Sequence, residues 1–233
     1  MRVHVSFTPA EQPVATIGIV VDVLRATSTM CQALASGYER VLCCAEIDDA
    51  RSLAETEGPA KLAGERRLEH IEGFDFGNSP RELTGPAARP TLALTTTNGT
   101  RLLLAAAARC ETVLVASLLN LDAVVAATRA SGAEDVAVLC AGVEGAFAID
   151  DAYVAGRIAH ALGGDPDDAA VAAIQLAGSF ATAEEGIGAG ISAQNIRDAS
   201  LDEDIAWCAR ESVLDLVPRV VERRDGAVEI APA

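Results

Sequence analysis

Carboxylates, arginines and a run of hydroxyls stand where the apolar pattern of this sequence breaks. In VVDVLRATST (20–29) Asp22 interrupts a β-branched run, Arg25 follows, and Thr27, Ser28 and Thr29 come next. Glu65-Arg66 closes KLAGER, and Thr97-Asn98 closes TLALTTTN. Ser117 and Asn120 follow TVLVA, and Glu144 and Asp150-Asp151 follow DVAVLCAG. Asp22, Glu65, Asp150 and Asp151 offer hard oxygen ligands of the kind Mg²⁺ prefers. Arg25 and Arg66 can grip a phosphate, sulfonate or carboxylate through paired hydrogen bonds. Thr27 and Ser28, at the start of a helix, would add hydroxyl and amide donors aided by the helix dipole. These are the parts for metal-assisted hydrolysis of a phosphate ester, in which the ion neutralises the phosphate and acidifies a bound water.

Other phosphate and hydrolase designs lack their parts. There is no GxxxxGK[ST] loop. GIGAGI (186–191) follows no strand and reads as a flexible loop. A haloacid-dehalogenase-type phosphatase needs a second Asp two residues after the first, where this chain has Leu24. A cysteine phosphatase needs Arg six residues after Cys140, where Ala146 stands. No Ser occupies a GxSxG elbow, and His4, His70 and His160 are too scattered for a triad. The six cysteines form no CxxC and read as buried free thiols. A formal charge of −16 argues against nucleic acid and anionic membranes as partners. Any anionic ligand then needs local arginines, helix N-termini or a metal.

The elements that must position these residues alternate along the chain. TIGIVVDV (16–23), VLCCAE (41–46), KLAGE (61–65), TLALTTT (91–97), TVLVASLL (112–119) and DVAVLCAG (135–142) read as strands. Helical stretches at 27–36, 48–57, 100–109 and 121–130 fall between them. After about residue 150 the pattern predicts helices at 150–163, 167–177 and 203–224, with a short strand at 227–230. Regular alternation implies an α/β fold, a three-layer α/β/α arrangement with a largely parallel or mixed sheet and a helical C-terminal part. One domain over 1–233 is expected, with a subdivision near 150. Ligands in such sheets collect at the carboxyl ends of strands, and the polar exceptions fall at those ends. With no transmembrane span and no signal-peptide pattern at the N-terminus, a cytoplasmic protein is expected.

DVLRATST (22–29), GER (64–66), IEGFDFGNSP (71–80), TTTNGTR (95–101), SLLN (117–120), CAGVEG (140–145) and DDAYVAG (150–156) together resemble the ComB family. Its name-giving member is 2-phosphosulfolactate phosphatase. The motifs come in the family's order and span about Val20 to Pro218. The resemblance implies the family's own α/β fold. It also implies Mg²⁺-dependent hydrolysis of (2R)-O-phospho-3-sulfolactate to 3-sulfolactate and phosphate, a step of coenzyme M biosynthesis. Carried over, the motif residues are Asp22, Arg25, Thr27, Ser28, Glu65, Arg66, Asn78, Ser79, Thr97, Asn98, Thr100, Ser117, Asn120 and Asp151. Two departures stand out: GERRLE replaces the family's GERGG, and Asp150-Asp151 replaces Glu-Asp.

The roles assigned on chemical grounds are these. Asp22, Glu65 and Asp151 hold the metal, and Arg25 and Arg66 bind the anionic groups. Thr27, Ser28, Asn98, Gly99 and Thr100 complete the anion pocket; Asn78, Ser79, Thr97, Ser117 and Asn120 join the substrate-binding set. A metal-bound water is the expected nucleophile, with phosphorylation of Asp22 as the alternative. Plainer readings stand beside these. Asp22 could be tied to backbone amides, Arg25 could pair with Asp22, Thr27 or Ser28 could be a helix cap, and Asp150 could be an N-cap. Rival functions are hydrolysis of another small anionic phosphate ester, or anion binding without catalysis. Ala/Leu-rich helices are compatible with a homodimer.

Overall fold

The computed structural model describes residues 1–11 and 13–233. The chain opens with β1 (Arg2–Ser6) and β2 (Ile17–Val21), then α1 (Ala26–Ala35), β3 (Arg40–Cys44) and α2 (Ile47–Thr56). A hairpin of β4 (Ala60–Arg66) and β5 (Glu69–His70) leads to β6 (Thr91–Thr95), α3 (Gly99–Ala107), β7 (Thr112–Ala116), α4 (Leu121–Ala130) and β8 (Asp135–Cys140). There follow α5 (Ile149–Leu162), β9 (Asp165–Pro166), α6 (Asp168–Gly178), α7 (Ala183–Gly188), α8 (Ile191–Asp198) and α9 (Asp202–Cys208). The hairpin of β10 (Pro218–Arg224) and β11 (Ala227–Pro232) comes last.

Every residue of β2 is buried, and its side chains serve two cores in alternation, as the period of two in a strand requires. Ile17, Ile19 and Val21 pack with Val136, Val138 and Cys140 of β8 and with α4, α5 and α6. Val20 packs on the opposite face with Leu92 and Leu94 of β6 and with α1 and α3. A sheet with helices on both faces is the α/β/α architecture expected from the alternation.

The sheet is mixed. Its order is β5-β4-β6-β3-β11-β10-β7-β2-β8-β1-β9. β4, β6 and β3 run parallel, as do β7, β2, β8 and β1. Between these blocks lies the C-terminal hairpin, antiparallel within itself, to β3 and to β7. The polar strand ends therefore do not share the edge of one parallel sheet. They belong to two blocks joined through β10, whose register shifts between Val220 and Glu222, an irregularity of the kind that bends a strand.

Two expectations for the C-terminal part are corrected. The helix expected over 203–224 stops at Cys208, and β10 begins at Pro218. A proline without an amide donor cannot sit inside a helix, and the β-branched Val220 and Val221 favour a strand. GIGAGI is not a flexible loop but the end of α7 and the start of α8. Thr182 caps α7, accepting from the Glu185 amide at 3.2 Å, while the Glu185 carboxylate accepts from the Thr182 amide at 3.3 Å. Gly186 is needed for closeness, since a Cβ there would lie 2.4 Å from the Tyr153 ring.

Candidate active site

Loops from both parallel blocks meet at a cavity of about 690 Å³. One block contributes Glu65 at the end of β4 and Thr97 and Asn98 after β6. The other contributes Asp22, Leu24 and Arg25 after β2, and Val143 and Glu144 after β8. Asn78 comes from the 71–80 loop. The β4–β5 hairpin adds Arg67, Leu68 and Glu69, and α8 adds Ile191, Ser192, Asn195 and Asp198.

Asp22 lies just past β2. Its Oδ1 accepts from the Ala26 amide at 3.2 Å, and its carbonyl accepts from the Thr27 amide and hydroxyl, each at 2.9 Å. Its Oδ2 packs on Gly99 at the start of α3, where an added Cβ would stand 2.5 Å away. Burial, with the charges of Asp150 and Glu65, raises its pKa to about 7.

Glu65 is buried, and each of its oxygens accepts hydrogen bonds. Oε1 accepts from the Thr97 amide at 2.7 Å, and Oε2 from the Leu68 amide at 2.8 Å and the Thr97 hydroxyl at 3.1 Å. It thereby ties the β4–β5 turn to the β6–α3 loop. Asp151 bridges elsewhere, accepting from the Val23 and Gly142 amides, both at 2.9 Å. Burial and the charges of Asp150 and Asp22 push its carboxyl well up. Asp150 accepts from the Ser192 hydroxyl at 2.8 Å. Burial raises it to about 6. The N-cap of α5 is Ala148, so Asp150 sits inside the first turn rather than capping it.

Arg25 does not pair with Asp22. Its guanidinium donates to Asp204 at 2.6 Å, in a pair whose side chains are 2% and 0% exposed. The Ser79 hydroxyl donates to the other Asp204 oxygen at 2.6 Å. Arg25 Nε and Asn78 Oδ1 remain buried without partners among the described residues, and both residues line the cavity. Asp204 is the structural residue that sequence reasoning missed. Within LDEDIAW it is one acid among three at the start of α9, and only its burial marks it.

Several hydroxyls and one arginine serve the scaffold. Ser28 donates to the Val23 carbonyl and Thr29 to that of Asn78, both at 2.9 Å. Thr100 exchanges hydrogen bonds with Thr96. Ser117 and Asn120 form a capping box, and Asn120 also donates to the Val115 and Leu216 carbonyls at 3.1 and 3.2 Å. Neither Ser117 nor Asn120 lines the cavity. Arg66 turns its guanidinium to the Ala45 carbonyl at 2.7 Å, the Thr95 hydroxyl at 2.8 Å and the Glu65 carbonyl at 2.8 Å. Its neighbour Arg67 is the one at the cavity.

The family model for 2-phosphosulpholactate phosphatase matches residues 5–223. The chain belongs to the 2-phosphosulpholactate phosphatase family. Among its relatives in that family is a protein of Thermus thermophilus named "probable 2-phosphosulfolactate phosphatase". The two are 35% identical over 224 residues, 94% of each chain. A Deinococcus radiodurans relative of the same name is 34% identical over 230 residues, 97% of this chain and 95% of the other. One from a Synechococcus species is 36% identical over 232 residues, covering 92% and 94%.

A magnesium ion is implied for the phosphosulpholactate phosphatase family, and the donor set can be tested against it. Among the described residues, no three His, Cys, Asp or Glu side chains form a ready metal cage. Asp22, Glu65 and Asp151 do not converge as one, because Asp22 and Glu65 line the cavity and Asp151 does not. Magnesium, however, is commonly held by one or two carboxylates, with water and substrate phosphate completing its shell. Asp22 and Glu65, both at the cavity wall, fit that mode. The charge of Asp150 raises both Asp22 and Asp151, and that of Asp22 also raises Asp151, a repulsion that a bound cation would relieve.

Proposed function

We propose that this chain hydrolyses (2R)-O-phospho-3-sulfolactate to (2R)-3-sulfolactate and inorganic phosphate with Mg²⁺, the reaction that coenzyme M biosynthesis uses. The observation that carries the reading is the meeting of Asp22, Glu65, Thr97 and Asn98 at one cavity, in a chain of this family. When bound, the ion supplies neutralising charge for the phosphate and a more acidic water. Asp22 and Glu65 are the residues that would hold it. Five carboxylates line the cavity against two arginines, so a polyanionic ester entering a protein of charge −16 needs that cation.

The remaining work falls to the chain's own groups. Asn98 and the start of α3 receive the phosphate oxygens, where amides and the helix dipole favour negative charge. Arg25, fixed by Asp204 in the cavity wall, lends its positive charge to a substrate anion. Glu65 holds the Thr97 loop and the Leu68 turn in place around the ester. Attack by water is supported by the state of the alternatives. All six cysteines are buried, with burial pushing their thiols up. The hydroxyls of Thr27, Ser28 and Thr29 are spent on carbonyls. Asp22 is the covalent alternative.

Phosphate release from phosphosulfolactate, with Mg²⁺ and then with a chelator, tests the activity; no release in either condition sinks it. Hydrolysis of an ester made chiral at phosphorus with oxygen isotopes tests the nucleophile, since retention of configuration would require two displacements and remove direct attack by water. A second reading keeps the chemistry and changes the ester. It is favoured by the Arg67-Leu68 pair at the cavity mouth, and a panel of esters separates the two.

A further inference from the structure

We propose that Arg67 is the specificity-determining residue of this cavity, binding the anionic group that the substrate carries besides its phosphate. The inference rests on the phosphatase reading above and assigns the recognition of the substrate's second charge to one side chain.

Glu65 pairs with His70 and Arg66 with Glu69, so Arg67 and Leu68 are the whole of a two-residue turn. Their φ angles are +53° and +68°. A turn with both central residues left-handed is normally made with Asn or Gly, because a Cβ there crowds the following carbonyl. This chain has two large side chains instead, and both line the cavity. The turn is firmly held: the Arg67 amide donates to the Thr97 hydroxyl at 3.2 Å and the Leu68 amide to Glu65 at 2.8 Å. Leu68 packs against the core built by β2, β8 and α5, although its own hairpin belongs to the other block of strands. A costly conformation kept in place by its surroundings, with its side chains at a ligand site, points to a use for those side chains.

For Arg67 that use follows from charge. Two guanidiniums line the cavity, and Arg25 is committed to Asp204. Arg66 is turned away to three acceptors of the scaffold. The Arg67 guanidinium has no ion pair and no hydrogen bond among the described residues. It is thus the uncommitted cation of a cavity otherwise rich in carboxylates, and a guanidinium can bind either a carboxylate or a sulfonate through two oxygens.

Arg67→Gly suits the test, because glycine accepts the left-handed angle and keeps the turn; Arg67→Gln removes the charge and keeps the length. Both are assayed with Mg²⁺ against phosphosulfolactate, phospholactate (carboxylate only), phosphoisethionate (sulfonate only) and p-nitrophenyl phosphate (neither). The expected result is a KM raised about 10- to 100-fold for phosphosulfolactate and for whichever singly substituted ester Arg67 recognises. The kcat should stay within a few-fold, and the KM for p-nitrophenyl phosphate should not change. Equal effects on all four esters, or no effect on any, overturn the proposal. Calorimetric binding of 3-sulfolactate to wild type and to Arg67→Gly is measured alongside. If wild type turns over none of the esters, the phosphatase reading falls, while weaker sulfolactate binding by Arg67→Gly still upholds Arg67 and equal binding still removes it.

Discussion

Arg25, in the loop after β2, and Asp204, on α9, form an ion pair sealed from solvent at 2.6 Å, linking residues 179 apart in sequence. The pair carries the wall of the cavity on a helix that shares no strand with it. Removing one member of such a pair leaves the other charged and buried, which costs far more than removing both. Asp204→Ala is expected to lose about 3–5 kcal/mol of unfolding free energy in urea titrations. The Arg25→Ala/Asp204→Ala double variant should lose clearly less than the sum of the single losses; simple additivity would mean the pair is not coupled.

Gly99 is a second point of leverage. A methyl group there would stand 2.5 Å from Asp22 Oδ2 and 2.6 Å from the Ala26 Cβ. Gly99→Ala must displace the Asp22 carboxylate or the start of α3. Phosphate release should fall roughly 10²-fold, the scale of a misplacement of about 1 Å at a reacting centre. Circular dichroism should still report a folded protein. Full activity in this variant would remove Asp22 from the chemistry.

The buried acids make stability depend on pH in a definite direction. Asp22 rises to about 7 and Asp150 to about 6 from an ordinary value of 3.8, with burial as the main cause, and Asp151 moves the same way. Between pH 4 and 7 the folded chain therefore holds protons that the unfolded chain has released. The stability these groups leave intact below about pH 4 is lost as pH rises through the folded values. In the absence of divalent ions the Tm should fall from pH 5 to pH 8, and Asp22→Asn should flatten the upper part of that fall. A Tm that climbs over the same interval contradicts the assignment.

Magnesium should act against the same trend. A cation that binds the ionised carboxylates competes with protons, and so stabilises the folded state more at high pH. We expect millimolar Mg²⁺ to raise the Tm more at pH 8 than at pH 5. The Asp22→Asn variant should lose that increment along with its activity. An increment unchanged in Asp22→Asn would place the ion elsewhere.

Ser117 and Asn120 share residue chemistry with the site but are used as a helix cap away from it. Ser117→Ala should cost about 1 kcal/mol of stability and leave kcat and KM within about two-fold. A large kinetic defect at unchanged stability would reassign the residue.

Much of this molecule can be read from its sequence, because short continuous apolar runs such as IGIVV and VLCC suit strands buried on both faces. The acid that breaks the first run also marks the cavity, since burying a carboxylate is costly enough to require a purpose. What cannot be read is direction. Arg66 and Arg67 are adjacent and chemically alike, yet the pleat and a left-handed turn send one into the scaffold and the other to the cavity. The same holds for Asp204 among the acids of DEDIAW, whose partner lies 179 residues away. The strand at 218–224 was hidden for a related reason. A strand that is mostly exposed shows no clean period, and its partners β11 and β7 are set by the whole fold.

The placing of the last hairpin has a consequence for how the sheet can come apart. Strands β10 and β11 fill the centre of the sheet, between β3 and β7. Without them β3 and β7 would each present an open edge of unpaired amides and carbonyls, the kind of surface that recruits other chains. The two blocks that must meet to form the cavity would also lose the strands that join them. A fault in this one hairpin would leave two half-sheets with sticky margins and no working site.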